Sequence, residues 1–333
     1  MQRSAFSRPT AGARFIDPRV LARIDNLELI ARTVVEGFIN GLHRSPFLGL
    51  SLDFAEHRPY MPGDDLRRID WRLLGRTDRY YVKQFEADTN TNFTVLLDVS
   101  RSMAYGAGGV VSAADGGGGG GGRGPGRDGG ANAQAGLSKL DYARYLAACL
   151  LYFANRQRDR VGLVTFDDDI VEHVPPSARH LEVVLHALDR AEPGVQGSLA
   201  RPLLRIAEFF QRRCLLVLIS DLYEEPEAVR DAVSKLRYKG NDVIVFHVFD
   251  PTELDFPFTD PVNFQDLETG ERIPVVPAQL RERYRELVRA HVGALSRLLT
   301  ENRIDYALFN TATPLDHALF AYLSARQRLT RVR

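Results

Sequence analysis

Several residue types are scarce in this chain, and each shortage closes off a class of protein. Cysteine occurs only at Cys149 and Cys214. Two cysteines this far apart do not make a zinc site, which needs more ligands at close spacing. Both lie in apolar surroundings and read as buried small hydrophobes. Net charge is missing too: Lys+Arg and Asp+Glu are 43 each, so the formal net charge is zero. A whole-chain argument for a nucleic-acid or anionic-membrane partner is therefore lacking. The longest apolar run, residues 146–154, is far too short to span a bilayer. Residues 1–18 contain no apolar segment of the kind a signal peptide requires, so the expected location is the cytoplasm. There is no Gly-x-Ser-x-Gly elbow and no His-Glu-x-x-His pair, and none of the eight histidines is paired at metal-ligand spacing. No catalytic constellation is visible.

What is present is ordinary globular chemistry, 44% hydrophobic and 26% charged. Residues 1–18, broken by Pro9 and Pro18, read as a disordered lead-in. From residue 19 to about 40, Val20, Ile24, Leu27, Ile30, Ala31, Val34, Val35 and Phe38 recur at helical spacing. Asp17 would cap this helix, Pro18 would take its first position, and Gly41 would end it. Residues 45–91 hold turn signals and short extended pieces, and predict a small irregular β-containing segment packed on the main domain.

Residues 92–333 have a different pattern. Apolar runs at 93–97, 160–166, 214–219, 242–248 and 304–309 predict buried strands. Between and after them, helices are expected at about 140–153, 179–189, 199–211, 225–238, 277–301 and from Pro314. Continuously apolar strands alternating with helices predict an α/β fold of Rossmann type, a mostly parallel sheet covered on both faces. In such a sheet ligands bind beyond the carboxyl ends of the strands. Residues 106–136, with an unbroken glycine run from Gly116 to Gly122, cannot bury enough apolar surface to offset their ordering entropy and read as a flexible insertion. They are not a phosphate-cradling loop, because no Lys-Ser or Lys-Thr follows at the required spacing.

The chemistry-bearing candidate is Asp98-Val99-Ser100-Arg101-Ser102, directly after the first of these strands. A second apolar strand ends in Ser220-Asp221-Leu222, which places both acids on one rim. Mg²⁺ favours about six oxygen ligands and keeps several waters. Hydroxyls at alternate positions of a tight loop can point at one ion, and Asp98 and Asp221 would add negative charge. Asp64, Asp65 and Asp70 are a further acidic group. They either cap turns and pair with Arg67, Arg68 and Arg72, or form a second metal or catalytic cluster. Trp71 either packs this segment onto the α/β domain or binds a partner. His247, inside an apolar strand, reads as a core histidine.

The Asp98–Ser102 loop resembles the metal-ion-dependent adhesion site of von Willebrand factor A domains. That resemblance implies two more ligands. Asp221 matches the acid after the fourth strand, and Ser198, after Gly197, stands where the family has a threonine. The stretch from Asp53 through Arg58, Tyr60, Pro62-Gly63-Asp64-Asp65, Arg67 and Ile69-Asp70-Trp71 is similar to the signature of the bacterial family called domain of unknown function 58. Residues 159–166, Pro314-Leu315 and Tyr322-Leu323 also fit it. The likeness covers about residues 20–330.

The resemblance implies a protein-binding module that holds Mg²⁺, or Mn²⁺ or Ca²⁺, through Asp98, Ser100, Ser102, Ser198 and Asp221. It also implies action with a MoxR-type AAA+ ATPase, or its client, in chaperone-like assembly or activation. A metal-dependent hydrolase on the same rim and a metal-free scaffold are the alternatives.

Overall fold

Strand β3 (Asn92–Asp98) is the axis of the molecule, with six of its seven residues buried. The computed structural model describes residues 26–44, 57–59, 75, 80–83, 91–106, 137–195, 198–210, 213–259, 262–265 and 272–331. Among them, β3 joins β4 (Arg160–Phe166), β5 (Ile170–Ser177), β6 (Cys214–Ser220), β7 (Asp242–Phe249) and β10 (Asp305–Asn310) in one sheet. The order is β10-β7-β6-β3-β4-β5, parallel throughout except for β5, which runs antiparallel to β4 at the edge.

Side-chain alternation divides the core in two. Phe93, Val95, Leu97, Leu215, Val217, Ile219, Ile244 and Phe246 face one layer. That layer contains α1 (Leu27–Arg44), α2 (Lys139–Arg156), α3 (Leu181–Asp189) and α8 (Leu315–Arg331). Leu96, Val164, Leu216, Leu218, Val243 and Val245 face the other. It is formed by α4 (Ala200–Phe209), α5 (Pro226–Tyr238) and the carboxyl-terminal part of α7 (Pro277–Glu301). Layers on both faces explain why these strands are apolar at most positions on either side. This is the α/β architecture expected from the sequence.

Several expectations need correction. Residues 19–25 of the expected first helix lie outside the described residues, and its described part, α1, starts at Leu27 with Asn26 Oδ1 accepting the Leu29 N–H at 2.9 Å. It runs through Gly41 to Arg44, because Ile30, Ala31, Val34 and Val35 are buried in the first core layer. Asp17 and Pro18 lie outside the described residues. So do Asp64, Asp65, Arg67, Arg68, Asp70, Trp71 and residues 107–136 of the Gly-rich segment.

Strand β5 was not anticipated. Its Pro175 and Pro176 are tolerated because it is an edge strand, and register shifts interrupt its pairing with β4. Three further elements were also unforeseen: the antiparallel pair β8 (Val262–Gln265) and β9 (Arg272–Val275), and the short helix α6 (Pro251–Asp255). A second antiparallel pair, β1 (His57–Pro59) with β2 (Tyr81–Lys83), precedes the sheet in the chain. Cys149 and Cys214 are both buried, as their surroundings predict.

Candidate metal centre at the sheet rim

Numbered by appearance in the sheet, the strands read 3-2-1-4-5-6 from β5 to β10, and the order reverses between β3 and β6. At that reversal the connecting chains leave in opposite directions and open a crevice at the strands' carboxyl ends. Leu97 pairs with Ile219 in register. Asp98 and Ser220-Asp221 therefore emerge beside each other at the crevice, as the sequence placed them.

The loop after β3 is built around Asp98. Its Oδ1 accepts the Ser100 N–H at 2.8 Å and its Oδ2 accepts the Ser220 hydroxyl at 2.6 Å. A 3-10 turn, Arg101–Ala104, comes next and anchors buried Met103. This turn brings the hydroxyls of Ser100 and Ser102 to 3.0 Å from each other. The loop before α4 is clasped to the same place. The Gly194 N–H donates to the Val99 carbonyl at 2.7 Å, and the Arg101 N–H donates to the Val195 carbonyl at 3.1 Å. Ser198 stands three residues beyond this clasp, half-buried, two positions before α4. Asp98, Ser100, Ser102 and Asp221 are thus brought together, with Ser198 on the adjoining loop.

Sequence reasoning missed Lys139, in the first turn of α2. Its ammonium donates to Asp221 Oδ2 at 2.8 Å and to Glu253 Oε1 at 2.9 Å, and its side chain is 0% exposed. The Tyr223 ring lies 4.5 Å from the nitrogen, within cation–π range. Burial alone would lower the Lys139 pKa, but the Asp221 and Glu253 carboxylates outweigh it and raise it. Glu253 is delivered by the capping box of α6, where its Oε2 accepts the Asp250 N–H at 2.8 Å. The one signal in the sequence was a lysine in the first turn of a helix, where the macrodipole disfavours a cation.

Beneath the rim, His247 is fully buried, and burial pushes its pKa down to about 3. Its Nε2 lies 2.7 Å from the Asp221 carbonyl and its Nδ1 lies 2.8 Å from the Tyr306 hydroxyl. A neutral imidazole with the proton on Nε2 satisfies both. His291 of α7 reaches the Leu222 carbonyl at 3.0 Å in the same way. These two histidines position the backbone that carries Asp221. His247 is the core histidine that its apolar strand predicts.

Burial, and after it the neighbouring Asp221, push the Asp98 pKa up to about 7. Two carboxyl groups thus lie close together where hydroxyl oxygens also converge, an arrangement of oxygen donors that suits a hard cation. No cluster of three or more His, Cys, Asp and Glu side chains suited to a metal occurs among the described residues. The donor set at this rim instead combines two carboxylates with hydroxyls.

The chain is 25% identical to an uncharacterized protein of Mycobacterium tuberculosis over 290 residues, 85% of this chain and 82% of that one. Among solved structures it is similar to an aerotolerance-related membrane protein from Bacteroides fragilis. That match has 17% identity and a TM-score of 0.41, and covers 68% of this chain and 96% of the other. It is also similar to the von Willebrand factor A domain of SpRpn10, at 10% identity and a TM-score of 0.36, over 68% and 92% of the two chains.

The cytoplasmic location expected from the sequence is not supported by these comparisons, in which one structural neighbour is named an aerotolerance-related membrane protein. Among the described residues no helix is long and apolar enough to cross a membrane. The model of the family described as Protein of unknown function DUF58 matches residues 56–112 and 128–294, from the Pro-Gly-Asp-Asp segment through the Asp98 loop and into α7, and the chain belongs to that family.

Proposed function

We propose that the protein is an interaction module in which Asp98, Ser100, Ser102, Ser198 and Asp221 hold Mg²⁺ and a partner's carboxylate completes the ion's shell. The observation that carries this reading is the meeting of Asp98 and Asp221 at the point where the sheet order reverses, beside two serine hydroxyls 3.0 Å apart. The ion would supply a Lewis-acidic point for an acidic side chain of the partner. The chain's own part is to present hydroxyl oxygens from a loop held rigid by the Ser100 N–H to Asp98 bond. A MoxR-type AAA+ ATPase, or its client, is the proposed partner, with chaperone-like assembly or activation as the task.

His247 is engaged on both nitrogens and so is not available at the rim as a general base. The metal-free scaffold is the second reading, and one observation favours it: Lys139 already sets a positive charge against Asp221.

Calorimetry with Mg²⁺ and Mn²⁺ separates the two readings. Binding by the wild type that vanishes in Asp98→Ala, together with loss of capture of a MoxR-type ATPase, is the expected result. A wild type that binds neither ion while remaining folded would leave the scaffold.

A further inference from the structure

The Lys139 ammonium sits one carboxylate away from the proposed ion, out of water, in a fixed position. Its two hydrogen bonds divide the oxygens of the cluster. Asp221 gives Oδ2 to Lys139 and keeps Oδ1, while Glu253 gives Oε1 to Lys139 and Oε2 to the Asp250 N–H. Asp98 accepts only neutral donors, the Ser100 N–H on Oδ1 and the Ser220 hydroxyl on Oδ2, and each oxygen keeps a second lone pair, whereas the cationic Lys139 ammonium repels an ion from the oxygen it holds. Neither Asp221 nor Glu253 is therefore left with both oxygens open to a cation.

Ca²⁺ accepts six to eight oxygens and commonly takes a carboxylate through both of them. Mg²⁺ and Mn²⁺ favour an octahedral shell, which single oxygens, hydroxyls and water can fill. The fixed ammonium also reduces the net negative charge, and ligand charge is one of the quantities that tune Ca²⁺ affinity.

We infer that Lys139 is a specificity-determining residue of this rim: by holding Asp221 Oδ2 it confines Asp221 to one oxygen and so selects small octahedral cations over Ca²⁺. This inference rests on the metal-binding reading proposed above. Lys139 acts as a positioning residue through Asp221 and touches no ion itself. Glu253 secures the lysine from its other side, so the capping box of α6 is part of the same device.

The test is a competition titration of Mg²⁺ against Ca²⁺, read by calorimetry on the full chain. It compares the wild type with Lys139→Met and with Lys139→Met/Glu253→Gln. The double variant removes both charges of the Lys139–Glu253 pair and keeps an amide oxygen for the Asp250 N–H, so it strands one carboxylate where the single variant strands two.

The wild type is expected to prefer Mg²⁺, and the double variant to lose roughly tenfold of that preference by gaining Ca²⁺ affinity. A double variant with an unchanged Mg²⁺ to Ca²⁺ ratio, or a wild type that binds the two ions equally, overturns the role of Lys139 while leaving the metal site standing. A folded wild type that binds neither ion overturns the metal reading itself, and this inference with it.

Discussion

Ser220 donates its hydroxyl to Asp98 Oδ2 at 2.6 Å, joining the ends of the two strands between which the sheet changes direction. The same oxygen of Ser220 accepts the Leu222 N–H at 3.1 Å, so one hydroxyl orders both loops. Ser220→Ala should leave the buried carboxylate with one donor fewer and cost about 1–3 kcal/mol at pH 8. The loss should shrink at pH 5, where Asp98 carries its proton. Urea denaturation at the two pH values measures both, and an equal loss at each would rule out a charged Asp98 as the partner.

Asp98 itself makes a prediction about pH. Its folded value of about 7 lies above the ordinary 3.8, so the folded protein holds a proton that the unfolded chain releases. This contribution to stability is complete below the ordinary value, declines as pH rises towards about 7, and is flat above it. Asp98→Asn should flatten that slope in metal-free buffer and stabilise the protein at pH 8 by about 1–3 kcal/mol. The asparagine can still accept from the Ser100 N–H and donate to the Ser220 hydroxyl. Denaturation curves from pH 4 to 8 with a chelator present would show the slope in the wild type alone.

Removing Lys139 alone strands two buried carboxylates. Lys139→Met should therefore cost about 3–5 kcal/mol, and adding Glu253→Gln should recover part of that loss. A double-mutant cycle in urea gives the coupling between the two residues. A coupling near zero would mean that the buried contact contributes nothing to the fold.

The carboxyl-terminal helix is tied to the sheet by aromatic edges. Tyr322 meets Phe93 with ring centroids 5.5 Å apart and Phe153 at 6.1 Å, both edge-on, and its ring is fully buried. Tyr322→Ala should cost about 3–5 kcal/mol, the usual loss for a large ring in a packed core. A thermal shift below a few degrees would mean that α8 adds little to the first core layer.

The buried strands were legible because they are short, mostly apolar runs rich in β-branched residues and leucine: residues 214–219 predict β6, and 242–248 predict β7. The long helix α7 was readable from Pro277 to Glu301 because proline fits a first helical turn and the pattern then persists. The edge strand β5 was hidden by Pro175 and Pro176 and by its alternating burial, which differs from the signature of the central strands. At the rim, the Asp98 loop and Asp221 could be found because both come directly after recognisable strands. Lys139 could not, because its role depends on Asp221 and Glu253, 82 and 114 residues away, and only the folded sheet brings those distances to contact.

At the root of the Gly-rich segment the Lys139 N–H donates to the Tyr105 carbonyl at 2.8 Å. Gly106 adjoins it at φ +119°, where a Cβ would lie 2.8 Å from the Leu137 carbonyl oxygen and 2.9 Å from Asp250 Oδ2. The chain therefore departs and returns through one doorway beside the rim. For a protein engineer that doorway is a grafting point. A fluorescent reporter or affinity tag spliced between Gly106 and Leu137 would place its signal next to the Asp98 loop.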